Sequence, residues 1–117
     1  VRLAERPEDL PAVFAERFNS GDPAAVAELY ESGAVFVPEP GVPLTGAPAR
    51  AANSRFQALG LPIEVRPRHV YVAGDVALLL VDWTIGDEVA GTATDVARRG
   101  ADGCWRYAVD NPFGTAG

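Results

Sequence analysis

The chain contains no lysine and no methionine, one cysteine and one histidine, and each shortage removes a class of chemistry. A lone Cys104 can neither close an internal disulfide nor contribute to a zinc site built from thiolates, and it reads as a small residue beside a turn. His69 has no second histidine and no carboxylate at a ligand spacing, so no metal centre is expected. Without lysine there is no phosphate-binding loop of the glycine-rich type, and the dinucleotide fingerprint, HExxH and the serine nucleophile elbow are also missing. No cofactor is therefore expected. Positive charge is scarce as well: 16 acidic residues against 10 basic ones give a net charge of −6, and no arginine-dense patch exists to displace the counterions of a nucleic acid. The longest apolar run, Val76 to Val81, falls far short of the roughly 20 residues that span a bilayer, and the amino terminus has no cleavable apolar leader. With nothing in the cysteine usage pointing to an oxidising compartment, a cytoplasmic location is expected. Val1 in place of an initiator methionine points to a processed, trimmed or incompletely assigned start.

What is present suffices for one domain over residues 1–117. A chain of 117 residues buries about two-thirds of its unfolded surface, and a 48% apolar fraction with 22% charged residues argues against disorder. Leu10, Val13, Phe14 and Phe18 recur at helical spacing from Pro7 to Asn19, and the prolines confine the regular helix to a start near Pro7 or Pro11. Asp22 followed by Pro23 is an N-cap signature, and Val26, Leu29 and Tyr30 supply the apolar face of a second helix. Ala34 to Val37 reads as a short strand, and PEPGVPLTG as an ordered loop with Glu39 in its middle. A third helix follows from Ala47 to Leu59, with Ala52, Phe56 and Leu59 on its apolar side and Arg50 and Gln57 exposed.

Four strands come next. Ile63 to Val72 alternates, placing His69 and Tyr71 in the parity of Ile63, Val65 and Pro67. Val76 to Ile85 is apolar on both parities and reads as a central strand, Gly91 to Arg99 follows, and Cys104 to Asn111 ends the meander after a GADG turn. Helices on one face make a two-layer α+β domain, and the other face keeps apolar residues that nothing in the chain covers.

Three stretches, FNSGDPAAVAELYESGAVFVPEPG, GDVALLLVDWTI and GTATDVARRGADGCWRYAVDNPFG, resemble the NTF2-like superfamily, in its SnoaL-like or ketosteroid-isomerase-like branch, over about Val13 to Phe113. The resemblance implies a cone: three N-terminal helices packed on a strongly curved mixed or antiparallel sheet. It also implies a pocket between sheet and helices, and a homodimer formed through the opposite sheet face. The fold alone does not fix a reaction. Matched position by position with the steroid isomerases, Phe14 falls where an oxyanion-donating tyrosine stands, Thr92 near the proton-donating aspartate, and Glu39 at or beside the general base. Both strong donors are thus missing and one carboxylate is kept.

The candidate catalytic residues are Glu39, as acid or base at the pocket mouth, Asn111, as a group orienting a substrate oxygen, and Asp110. Strand alternation sets Trp105, Tyr107, Val109 and Asn111 on one face and Arg106, Ala108 and Asp110 on the other, and a one-residue slip exchanges Asp110 for Asn111 and Asp82 for Trp83. Candidate pocket-lining residues are Phe14, Tyr30, Asn53, Phe56, His69, Asp82, Trp83 and Thr92. These point to an isomerase or cyclase acting by general acid/base chemistry on a small apolar, polyketide-like or steroid-like compound. The alternative is a noncatalytic small-molecule-binding or dimerisation domain.

Overall fold

The computed structural model describes residues 2–117. A single 3₁₀ turn, Pro7–Asp9, leads into α1, Leu10–Asn19, so both prolines fall where their missing amide hydrogens cost least. Asp22 caps α2, Pro23–Ala27, by accepting the Ala24 amide at 3.0 Å. Buried Arg17 fixes the corner between the two helices, donating to the Ala25 and Arg2 carbonyls and to Glu28 at 2.7–2.8 Å. Helix α2 is shorter than its apolar residues imply. Leu29 lies past its end, where its carbonyl accepts the Tyr107 amide, and Tyr30 already begins strand β1, Tyr30–Glu39. Pairing with a distant strand outweighs local helical spacing there.

The segment expected as a loop is instead a hairpin: β1 turns at Pro40 and Gly41 into β2, Val42–Leu44. Pro43 is tolerated because β2 is an edge strand, and Pro38 because it falls at the register shift of β1 between Phe36 and Glu39. Helix α3, Gly46–Gln57, ends before Leu59, which is 49% exposed, while Gln57 turns inward and donates to the Phe18 carbonyl at 3.1 Å. That reverses the expected placement of these two residues. A polar side chain that satisfies the carbonyl end of α1 is cheaper to bury than a leucine beyond the last helical turn.

Strands β3, Ile63–Ala73, β4, Val76–Ile85, β5, Val89–Arg99, and β6, Trp105–Asp110, form the antiparallel meander. The return of β6 beside β1 adds one parallel pairing, giving a six-stranded mixed sheet in the order β2-β1-β6-β5-β4-β3. The α+β class holds, but the strongly curved cone does not. The sheet is open, with β2 and β3 as separate edges, and a three-residue β2 offers little backbone with which to pair and close it. The core lies between the helices and one sheet face, where Leu10, Val13 and Phe18 meet Leu79, Val81, Trp83 and Ile85.

Two bulges decide which residues share that inner face. In β3, Pro67 pairs with Val81 but His69 pairs with Leu80, so Arg68 is the extra residue and the parity reverses beyond it. His69 and Tyr71 are thereby placed on the outer face, opposite Leu80 and Leu78. In β6, Tyr107 pairs with Ala97 but Val109 pairs with Val96, making Ala108 the extra residue. Beyond it the inner face passes from Val109 to Asp110. Among the described residues no helix is long and apolar enough to cross a membrane.

Candidate functional site

A cavity of about 60 Å³ lies between α1, α3 and the inner sheet face. Its apolar wall includes Phe14, Phe18, Phe36, Phe56 and Trp83, and its polar groups are Asp95, Asp110, Asn53 and Tyr107. By a measure in which one water needs about 10–15 Å³, the space takes a few waters or the end of a ligand.

The two aspartates dominate the site. They stand on adjacent strands on the same face, 5% and 7% exposed, and each shifts the proton affinity of the other. Burial pushes the Asp95 carboxyl well above the usual carboxylate range, the negative charge of Asp110 adds to the effect, and the Asn111 amide donating to Oδ1 at 2.9 Å opposes it. Burial also raises Asp110, but hydrogen bonds from the Tyr30 hydroxyl and from Asp95 pull it back. The Tyr30 hydroxyl favours the anion at Asp110, so Asp95 is the carboxyl pushed further toward its protonated form.

Around Asp110 the network extends to the helical layer. Tyr30 donates its hydroxyl to Asp110 Oδ2 at 2.5 Å and accepts from Asn53 Nδ2 at 2.8 Å. Burial, followed by the nearby aspartates, drives the phenols of Tyr30 and Tyr107 well above their ordinary range, so both remain protonated at neutral pH. One wall thus offers two buried carboxyls of raised proton affinity and neutral phenols inside a largely aromatic shell. That set can give a proton to one substrate atom and take one from another.

Of the residues selected from the sequence, Phe14, Asn53, Phe56, Trp83 and Asp110 line this cavity, and Tyr30 reaches it through its hydroxyl. The others stand elsewhere. Glu39 is exposed at the far end of β1, beside the hairpin turn. Asn111 directs its amide to Thr94 Oγ1 and the Gly114 carbonyl, at 2.9 and 3.0 Å, and so fastens the C-terminal segment. Asp82 faces the outer side, where Thr92 and Arg68 each donate to it at 2.6 Å. Those bonds, the threonine's first, hold its carboxyl below the usual range. Thr92 shares that outer cluster, and His69 stacks on Tyr71, with ring centroids 5.7 Å apart. Asp95 and Tyr107 are the functional groups that sequence reasoning passed over. The available signal for Asp95 was an acid in the parity of Ala93 and Ala97, an otherwise apolar strand face.

The SnoaL-like domain family matches residues 12–111, which covers every element of the cavity wall except the outermost residues of α1 and the tail. The chain belongs to the SnoaL-like domain family. No curated protein matches it. Among solved structures, this SnoaL-like chain is similar to a provisionally named calcium/calmodulin-dependent protein kinase type II association domain from Thiobacillus denitrificans (23% identity, 99% of this chain and 100% of that one, TM-score 0.77). It is also similar to a provisionally named dehydratase of the NTF2-like family from Streptomyces avermitilis (21% identity, 86% and 88%, TM-score 0.66). A third is a provisionally named ketosteroid isomerase from Parabacteroides distasonis (23% identity, 89% and 83%, TM-score 0.62). At these identities the likeness is one of fold. Among the described residues no group of three or more His, Cys, Asp or Glu side chains is placed to hold a metal ion.

Proposed function

We propose that this SnoaL-like domain binds the carbonyl or hydroxyl end of a small, mostly apolar compound and isomerises or cyclises it by acid–base chemistry. The observation that carries the reading is the Asp95–Asp110 pair, buried on the wall of an otherwise aromatic cavity. For a β,γ-unsaturated ketone, Asp95 gives its proton to the carbonyl oxygen while Asp110 takes one from the α-carbon, leaving a dienol. Asp110 then returns its proton at the γ-carbon as the double bond shifts into conjugation and the hydroxyl gives its proton back to Asp95, so no proton or electron is left over. Glu39 and Asn111, placed outside the cavity, have no part in this scheme.

Incubation with small ketones in D₂O tests it. The expected result is deuterium incorporation beside the carbonyl that falls at least about a hundredfold in Asp110→Asn. Exchange that is absent, or unchanged by the substitution, overturns it. The small volume and aromatic lining favour the second reading, a noncatalytic binding or dimerisation domain, which predicts ketone binding without exchange. Under either reading we propose a homodimer through the outer sheet face, where Tyr71, Leu78 and Val76 are 57%, 40% and 37% exposed. The low cysteine content remains the support for a cytoplasmic location.

A further inference from the structure

A second, much larger space of about 810 Å³ opens between α2, the first residues of β1 and α3. It adjoins the cavity at shared walls. Phe36 and Asn53 border both, and the Tyr30 side chain that borders the groove ends in the hydroxyl bonded to Asp110. Helix α3 serves the two spaces with neighbouring turns: Asn53 and Phe56 face the cavity, whereas Arg50, Asn53, Ser54 and Gln57 border the groove.

The sizes bear on the ligand. About 60 Å³ cannot enclose a polyketide-like or steroid-like molecule, so only its reacting end enters and the remainder must lie outside. The chemistry of the groove differs from that of the cavity. Serine hydroxyls and side-chain amides border it, along with one acid, Glu31, and one cation, Arg50. Glu31 is already paired with Arg98 at 3.1 Å, whereas Arg50 is exposed and, among the described residues, makes no ion pair or side-chain hydrogen bond. The charge left available in the groove is therefore positive, although the chain as a whole carries −6.

We propose that the groove is the outer half of one bipartite site, holding the anionic tail of a ligand whose compact carbonyl end enters the cavity. The inference rests on the acid–base reading of the cavity and adds the substrate class: an elongated keto acid, its carboxylate held by Arg50. A guanidinium suits that partner because it offers two parallel donors to a carboxylate. Asn53 borders both spaces and donates to the Tyr30 hydroxyl that is bonded to Asp110, which makes it the residue that links occupancy of the groove to the state of Asp110.

The test uses 7-oxooctanoate labelled with ¹³C at the ketone, its methyl ester, and labelled butanone as a head without a tail. Calorimetry reads affinity and the ketone ¹³C resonance reads contact with the carboxyl pair. The expected result is that the keto acid binds about tenfold or more tightly than its ester. Arg50→Ala removes that advantage, Arg50→Lys restores part of it, and neither substitution changes the butanone resonance. Equal binding of acid and ester, or an Arg50→Ala variant that binds the acid as tightly, overturns the inference. A butanone resonance that still moves, and responds to Asp110→Asn, then leaves the acid–base cavity standing. A ketone resonance unmoved in all three compounds overturns both.

Discussion

At the scale of single residues, the behaviour of the site comes from two carboxyls whose burial opposes their ionisation. Asp95 keeps its proton in the folded state above the pH at which an unfolded aspartate, near 3.9, releases it. At this position the native state therefore binds more protons than the unfolded one from about pH 4 upward, and the contribution of Asp95 to stability falls as pH rises until the folded carboxyl also ionises. Asparagine at this position imitates the protonated acid, accepting the Asn111 amide with its oxygen and donating to Asp110 with its nitrogen. Asp95→Asn should accordingly gain stability relative to the wild type with increasing pH, by up to about 1.4 kcal/mol per unit over that window, in urea titrations between pH 4 and 8. A difference that stays constant with pH would show that Asp95 does not hold the proton. Asp110 was legible in the sequence as a candidate acid, because a carboxylate ending an aromatic strand is conspicuous. Its partner was not, since nothing in GTATDVARR says which strand will lie beside it.

At the scale of elements, bulges and a tail decide which face each residue meets. Strict alternation through β6 groups Asn111 with Tyr107, whereas the extra Ala108 puts Asp110 beside Tyr107 and opposite Asp95. The tail then folds back over β5. Trp83 donates its indole N–H to the Pro112 carbonyl at 2.7 Å, and Gly114 sits at φ +58°, where a Cβ would run into the Thr92 carbonyl. Gly33 also has positive φ, at 78°, but faces open space. Gly33→Ala should thus cost about 1–2 kcal/mol, the ordinary penalty of left-handed backbone, and Gly114→Ala clearly more. Thermal denaturation of the two variants checks the order, and equal costs would argue against a tightly seated tail. Helix spacing and the Asp22–Pro23 cap were readable because they depend on neighbours a few residues away. The β1–β2 hairpin was not, because Pro43 is acceptable at a sheet edge and Pro38 at a register shift, and both belong to the assembled sheet.

At the scale of the whole molecule, the open sheet has one face under the helices and one bare. The bare face combines the exposed Tyr71, Val76 and Leu78 with a polar cluster of Arg68, Asp82 and Thr92, so an apolar region adjoins a fixed set of charges. Leu78→Glu should convert the proposed homodimer to monomers in analytical ultracentrifugation, with little loss of monomer stability because the side chain is already 40% exposed. A wild type that sediments as a monomer at all concentrations would remove the dimer.

The sequence by itself determined the class of this domain, α+β, with its amphipathic helices and its long apolar strand. These follow from composition and from periodicities read over a few residues. Tertiary structure alone decided that the sheet stays open, that Asp95 meets Asp110, and that Glu39 and Asn111 stand apart from the cavity. The reason is physical. Strand register, bulge position and burial are set by pairings between residues far apart in the chain, and a one-residue change in register moves a carboxylate from solvent into the core, where its proton affinity changes.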